Sequence, residues 1–211
     1  MAEKNKSVLA NIIETIRIYF SGKNIAILGS IETGKTTLHK FLREGIVVTD
    51  HIATLRPIPV DKSIFKLDNQ ELLIKKGDDI SGQRTFMSEW KTLYLKCDIC
   101  FYMFDASKVY SSDKEHLEEI YANIAQFAEW NKELKKKKPQ VFMIGSHADN
   151  IKEYQESNPS NIQAVYKIIR ANLKRAYLLI DLKPGPIFIA SLTTSENINE
   201  LMRAIFKSYK L

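Results

Sequence analysis

Apolar and polar positions alternate along this chain in two distinct periods. Short, almost continuous apolar runs occupy residues 24–28, 99–105, 140–145 and 187–190. Runs of this length are typical of strands buried on both faces of a parallel sheet. After these runs, apolar residues recur at helical spacing, which predicts helices at about 37–42, 86–95, 112–137, 161–178 and 196–209.

One hairpin interrupts this alternation. Residues 63–67 and 71–75 predict two short strands, and the turn residues 68–70 join them. Alternating strands and helices are typical of an α/β fold. The pattern therefore predicts a three-layer sandwich with a six-stranded, mostly parallel sheet, in which one strand is an antiparallel edge strand.

The chain begins with an amphipathic stretch. Residues 7–20 place Val8, Leu9, Ile12, Ile13, Ile16, Tyr19 and Phe20 at helical spacing. We expect this helix in residues 1–22 and one domain over 23–211. The helix either packs on its own domain or lies on a membrane surface or a partner; its polar face is poor in Lys and Arg, which weakens the membrane alternative.

A loop bracketed by two glycines follows the first predicted strand and opens the first helix. It matches the phosphate-loop pattern G-x-x-x-x-G-K-[ST]. Its glycines let backbone N–H groups turn towards phosphate oxygens, and the helix N-terminus adds partial positive charge. Lys35 can reach the outer phosphates, and the Thr36 hydroxyl can hold Mg²⁺. The predicted phosphate-binding residues of this P-loop NTPase fold are Gly29, Ser30, Ile31, Glu32, Thr33, Gly34, Lys35, Thr36 and Thr37.

A second motif supplies further groups for nucleotide chemistry. Asp79 begins an Asp-x-x-Gly motif and can bind Mg²⁺ directly or through water. Gly82 offers a backbone N–H to a terminal phosphate. Gln83 follows it and could orient an attacking water, while Lys35 stabilises charge on the phosphate, so both are candidate catalytic residues.

The order of these motifs resembles the Ras superfamily of small GTPases over residues 23–210. Asp79 to Gln83, followed by Trp90, looks most like the Arf, Sar and Rag branches. The resemblance implies binding of GTP and GDP with Mg²⁺. It places the family's magnesium-binding threonine at Thr54, with Thr49 as the alternative, so that Thr36, Thr54 and Asp79 are the expected metal ligands.

The resemblance also implies a base-binding site, with departures from the family pattern. The family's Asn-Lys-x-Asp motif is represented by Ser146, His147, Ala148 and Asp149, and its Ser-Ala-Lys motif by Ser191, Leu192 and Thr193. The Asp149 carboxylate can accept hydrogen bonds from guanine, whereas Ser146 is too short for the bonds that the family's asparagine makes. We therefore expect a weakened preference for guanine.

Charge and cysteine content bear on the expected partners and on the cellular compartment. The formal net charge is +6, and part of this excess lies in the lysine run at 135–138, which is typical of a solvated helix end. No nucleic-acid-binding motif is present, so nucleic acid is not an expected partner. Cys97 and Cys100 form a C-x-x-C without a second pair at zinc spacing, and we expect core cysteines in a reducing compartment.

The sequence thus predicts a cytoplasmic GTP/GDP switch with slow, magnesium-dependent hydrolysis; peripheral membrane attachment is left open. Effectors and regulators are expected at loops 46–60 and 79–90. Two alternatives remain: a pseudo-GTPase scaffold, favoured by the altered base motif, and a P-loop kinase or ATPase.

Overall fold

The structure is a computed structural model, and it describes residues 24–44, 47, 58–60, 63–67, 70–74, 77–79, 87–135, 138–156, 158–179 and 187–208. The helix predicted over residues 7–20 lies outside this range. The strands are β1 (Ile25–Gly29), β2 (Ile58–Val60), β3 (Ser63–Leu67), β4 (Gln70–Ile74), β5 (Gly77–Asp79), β6 (Ile99–Asp105), β7 (Gln140–Ser146) and β8 (Phe188–Ile189). The helices are α1 (Lys35–Glu44), α2 (Met87–Lys96), α3 (Ala106–Tyr110), α4 (Lys114–Glu133), α5 (Lys152–Gln155), α6 (Pro159–Asn172), α7 (Lys174–Leu179) and α8 (Ser195–Ser208).

A parallel sheet forms the centre of the fold. Strands β1, β6, β7 and β8 lie side by side in that order and are all parallel. Beyond β1, strand β5 pairs in parallel through Ile27 and Asp79, and β2 pairs antiparallel with β5. The predicted α/β architecture is confirmed. Among the described residues, the main sheet contains six strands, of which the edge strand β2 is antiparallel and the other five are parallel.

The predicted hairpin forms, but it lies outside the main sheet. Strands β3 and β4 pair antiparallel as expected, but they form a separate two-stranded sheet. The prediction that they complete the main sheet is wrong; 58–60 and 77–79, both outside the predicted strands, occupy that edge. Strands joined by a short turn pair locally with each other, and β3 and β4 pair from Ser63 and Ile74 to Leu67 and Gln70.

Helices cover both faces of the sheet. Successive side chains of a strand point to opposite faces, so the apolar strands need packing partners on each side. Ala26 and Leu28 of β1 belong to a core shared with α2, α4, α6 and α7. Ile25 and Ile27 point to the opposite core, which α1 and α8 complete. Cys97 and Cys100 are buried and carry free thiols, as expected for core cysteines.

Helix starts show where local signals were misinterpreted. The helix expected from about residue 112 begins slightly later: Asp113 caps α4 by accepting from the His116 N–H at 2.9 Å. Ser112 has a φ of 60° and precedes the cap. Asp105 also caps α3, a short helix absent from the prediction, through the Ser107 and Lys108 N–H groups. Among the helices of the described residues, none is long and apolar enough to cross a bilayer.

Candidate phosphate-binding site

The phosphate loop begins where β1 packs tightly against β6. Gly29 has a φ of 144°, and a Cβ atom built on it would lie 2.0 Å from the Met103 carbonyl oxygen. No side chain fits at that distance, so this position requires glycine. The next residue, Ser30, donates its N–H to the same Met103 oxygen at 3.2 Å. The sheet therefore fixes the point from which the loop turns away.

Internal hydrogen bonds close the loop on itself. The Ser30 carbonyl oxygen accepts from the Thr33 hydroxyl at 2.9 Å and also from the Lys35 ammonium. Ser30, Thr33 and Lys35 are all buried, with Lys35 only 6% exposed. Burying an ammonium group costs free energy unless the group is well paired. The Ser30 carbonyl provides such a partner and holds the Lys35 ammonium inside the loop.

The outer part of the loop curls through left-handed backbone conformations. Glu32 has a φ of 58° and Gly34 a φ of 76°, while Ile31, which directly precedes them, is 51% exposed. Helix α1 then begins at Lys35, with the Leu38 N–H donating to the Gly34 carbonyl at 2.9 Å. The first turn of α1 contains no acidic residue. Its partial positive charge is therefore available to an anion at the loop.

The segment after β7 reaches back to this loop. His147 has a φ of 56°, and its Nε2 lies 2.7 Å from the Glu32 carbonyl oxygen, although the two residues are 115 positions apart. A carbonyl only accepts, so Nε2 carries the hydrogen in this bond. Ser146 faces elsewhere: its hydroxyl donates to the Phe104 carbonyl at 3.1 Å. The histidine, not the serine, joins the two loops.

Asp149 lies two residues after His147, in a 3-10 turn at Ala148–Asn150. Its side chain is half-buried and makes no hydrogen bond or ion pair to any other described residue. The Gln155 amide fixes the Asp149 backbone by donating to its carbonyl oxygen. Among the described residues, none therefore competes with a ligand's N–H donors for this carboxylate.

The segment after β8 contacts the phosphate loop from another side. A Cβ atom on Gly34 would come within 2.7 Å of Leu192 Cδ1, so the two residues touch. Ser191 and Leu192 are both buried, and the Ser191 and Thr193 hydroxyls lie 2.8 Å apart. The Ala148 N–H donates to the Ala190 carbonyl at 3.4 Å, which links this segment to the one after β7.

Three separate sequence segments therefore meet at one edge of the sheet. Residues 29–36, 146–149 and 191–192 all follow the carboxyl ends of strands, and the contacts of His147 and Leu192 join them. Such an edge is where open α/β sheets bind ligands.

Other predicted residues are not placed. Thr49, Thr54, Gly82 and Gln83 lie outside the described residues. Only the backbone of Asp79 is described, and it pairs with Ile27, close in sequence to the loop.

Thr36 and Thr37 lie in the first turn of α1. Among the described residues, no group of three or more His, Cys, Asp or Glu side chains could hold a metal. Of the predicted magnesium ligands Thr36, Thr54 and Asp79, the described residues include the side chain of Thr36 alone.

A polar cluster beside the loop was missed by the sequence reasoning. It comprises Tyr102 of β6, whose hydroxyl accepts from the Asn123 amide of α4 at 3.1 Å, and His116 of α4, whose Nδ1 lies 3.7 Å from the Glu119 carboxylate. Tyr102 was interpreted as one apolar strand residue among several, and the α4 residues fall between the apolar positions of the helix. In the sequence, the cluster is indicated only by polar residues between the apolar positions of a helix. Such a pattern does not predict which residues they contact.

No protein-family model matches the chain, and a comparison with curated proteins finds no match.

Proposed function

We propose that this chain binds a guanine nucleotide with Mg²⁺ and acts as a GTP/GDP switch of the P-loop, Ras-like kind, with slow GTP hydrolysis. The observation that carries the proposal is the convergence of three predicted nucleotide-binding segments. His147 contacts Glu32 at 2.7 Å, and Leu192 packs on Gly34. A chance match to a short glycine motif would not bring two other motif segments to the same loop.

The phosphate loop suits a polyanion for reasons of charge and backbone shape. The left-handed turns at Glu32 and Gly34 expose successive N–H groups, which form a concave site for phosphate oxygens. The helix that follows adds the favourable end of its dipole. Lys35 lies inside this turn and would contact the outer phosphates.

The base would lie against the segments after β7 and β8. Guanine presents N–H donors at N1 and at the exocyclic N2, and the open Asp149 carboxylate can accept both. Adenine lacks this pair of donors. Because Ser146 points to Phe104 and no longer braces the loop, we expect a guanine preference smaller than that of the family.

Mg²⁺, when bound, would supply positive charge to the β- and γ-phosphate oxygens. Thr36, Thr54 and Asp79 are the residues that would hold it. Gln83 would orient the attacking water, and Lys35 would stabilise charge developing on the phosphate. Contacts from Thr54 and Gly82 to a γ-phosphate would order loops 46–60 and 79–90, where effector and regulatory proteins would bind in the cytoplasm.

Calorimetry with GDP, GTP and ATP in Mg²⁺ tests the proposal. The parent should bind both guanine nucleotides more tightly than ATP. Lys35→Ala should weaken GTP binding by about 100-fold, since charge-assisted hydrogen bonds to phosphate are lost. Lys40→Ala on the same helix is the control and should bind like the parent. If Lys35→Ala binds GTP as well as the parent, the phosphate-loop assignment is wrong.

A pseudo-GTPase scaffold is the second candidate, favoured by the altered base motif at Ser146 and His147. Measuring phosphate release by the parent and by Gln83→Leu separates the two. A GTPase should release phosphate slowly and lose this activity in the variant, whereas a scaffold should release none in either form. A kinase or ATPase would instead show ATP displacing GTP at equal concentration.

A further inference from the structure

The short helix α5 connects two parts of the proposed base site. It begins at Lys152, three residues after Asp149, and ends at Gln155. The Gln155 side-chain amide donates to the Asp149 carbonyl oxygen, while the Tyr154 hydroxyl donates to the Ile189 carbonyl oxygen at 3.0 Å. One helical turn therefore holds both the segment after β7 and strand β8, which lies 35 residues away in sequence.

Tyr154 is anchored in the core, so its hydroxyl can restrain the backbone of β8. The ring is partly buried and packs against the core to which the buried Ile151 belongs. The Tyr154 N–H also donates to the Ile151 carbonyl at 3.0 Å. A carbonyl oxygen only accepts, so the tyrosine supplies the hydrogen of its bond to Ile189. The position of the Ile189 peptide is thereby tied to the core through α5.

Strand β8 carries the second base segment and is short. It contains two residues, and among the described strands it pairs with β7 alone. Just after it, the Ala190 N–H donates to the Gly145 carbonyl at 2.9 Å, and the Ala190 carbonyl accepts from the Ala148 N–H at 3.4 Å. Ser191 and Leu192 follow directly. The placement of β8 therefore sets the placement of these two residues.

Gln155 restrains the other side of the base site. Asp149 lies in a single 3-10 turn, and the residue before this turn, His147, makes no side-chain capping bond to it. The Ser146 hydroxyl donates to Phe104 and leaves the turn unbraced from that side. The Gln155 amide reaches back over the turn to the Asp149 carbonyl. Because a side chain moves with its own peptide, this bond limits the directions in which the Asp149 carboxylate can point.

We propose that α5 braces the base site, with Gln155 and Tyr154 as positioning residues that hold Asp149 and residues 191–192 at the spacing a guanine base requires. The inference rests on the proposed function, because it assigns both residues a role in guanine recognition. Neither side chain would touch the nucleotide: Gln155 acts through Asp149, and Tyr154 acts through Ile189. Their loss should lower the affinity for GTP and spare that for ATP, since adenine lacks the pair of N–H donors that Asp149 would accept.

Competition between GTP and ATP in Mg²⁺ tests the role of Gln155. Gln155→Met keeps the length of the side chain and removes its donor, so it should lower the GTP-to-ATP affinity ratio about fivefold. The side chain is exposed, and the variant should therefore fold like the parent. Made together with Asp149→Ala, the same change should leave the ratio of Asp149→Ala alone, because Gln155 acts only through Asp149. Two independent losses would multiply.

Glu156→Met is the matched control. Glu156 is the next residue, is exposed, and accepts from the Asn161 side-chain amide at 2.8 Å rather than from either base segment. This variant should keep the GTP-to-ATP ratio of the parent.

Tyr154→Phe tests the second contact of α5. It removes one hydroxyl and leaves the ring in the core, so the chain should fold while the Ile189 carbonyl loses its partner. The GTP-to-ATP ratio should fall about threefold through a weaker affinity for GTP. A merely structural role would change the unfolding midpoint and leave this ratio at the value of the parent.

The outcomes separate this inference from the proposed function. If the parent prefers GTP, an unchanged ratio in Gln155→Met or in Tyr154→Phe overturns the role of that residue. A loss from Gln155→Met that persists in the Asp149→Ala background overturns the inference as well. Equal binding of GTP and ATP by the parent, or no binding of either, overturns the proposed function, and the inference falls with it.

Discussion

Gly29 allows the chain to leave β1 and enter the phosphate loop. Its φ of 144° is unfavourable for any residue with a side chain, and a Cβ atom there would meet the Met103 backbone at 2.0 Å. The neighbouring strand cannot move away without breaking the hydrogen bond from the Ser30 N–H. The glycine is therefore required by packing inside the sheet as well as by the turn.

Gly29→Ala should lower the free energy of unfolding by about 3 kcal/mol, because backbone strain and overpacking act together. Urea unfolding followed by circular dichroism measures the loss. Ile31→Ala is the control within the loop, since Ile31 is 51% exposed, and it should change stability by less than about 0.5 kcal/mol. Equal stability of the parent and Gly29→Ala would mean that β1 and β6 are not packed as described.

Asp149 is the residue that should discriminate between bases. Its carboxylate has no partner among the described residues, so its removal leaves no buried group unpaired. Asp149→Ala should weaken GTP binding by about 10- to 100-fold and leave ATP binding unchanged, as expected for two lost hydrogen bonds to a charged group. Competition between GTP and ATP measures the ratio.

Glu153→Ala, on the exposed face of α5, is the control for this change and should keep the GTP-to-ATP ratio of the parent. A ratio that stays the same in Asp149→Ala would place the base elsewhere.

Among the secondary-structure elements, α4 connects the site to the core. Its buried face carries Phe127. The centroid of this ring lies 4.4 Å from that of Tyr94, 5.5 Å from that of Trp130 and 5.7 Å from that of Tyr102. Tyr102 belongs to β6, and the carbonyl of the next residue, Met103, accepts from the Ser30 N–H of the loop at 3.2 Å. Aromatic packing on α4 therefore supports the strand that anchors the loop.

Phe127→Ala should destabilise the protein by about 3–5 kcal/mol, because it leaves a large cavity among rings that cannot collapse into it. Urea unfolding provides the measurement, and Phe127→Leu should lose clearly less because it keeps most of the volume. A loss below about 1 kcal/mol for the alanine variant would contradict the buried aromatic cluster.

The elements differ in how far their sequence specified them. Strand β1, the phosphate loop and α1 were predictable because an apolar run, a glycine motif and a helical period follow one another. The edge of the sheet was not, because β2 and β5 have three residues each and lack a clear period. The start of α4 was misplaced because Ser112 and Asp113 are both good caps, and local sequence alone does not choose between them.

For the whole molecule, the sequence anticipated the meeting of distant segments better than the details of their contacts. Parallel strands place their carboxyl ends at one edge, so the segments at 29–36, 146–149 and 191–192 had to lie near each other. The hydrogen bonds from His147 to Glu32 and from Asn123 to Tyr102 depend on side-chain direction across elements. Such contacts leave no periodic trace, and they emerge only from the three-dimensional arrangement.

The most direct test of nucleotide binding at this edge is a crystal structure with Mg²⁺ and a non-hydrolysable GTP analogue. We expect phosphate density inside the turn formed by residues 29–36, with the Lys35 ammonium against it and the base at the Asp149 carboxylate. Density for the analogue at another place, or none in crystals grown at saturating concentration, would contradict nucleotide binding at this edge.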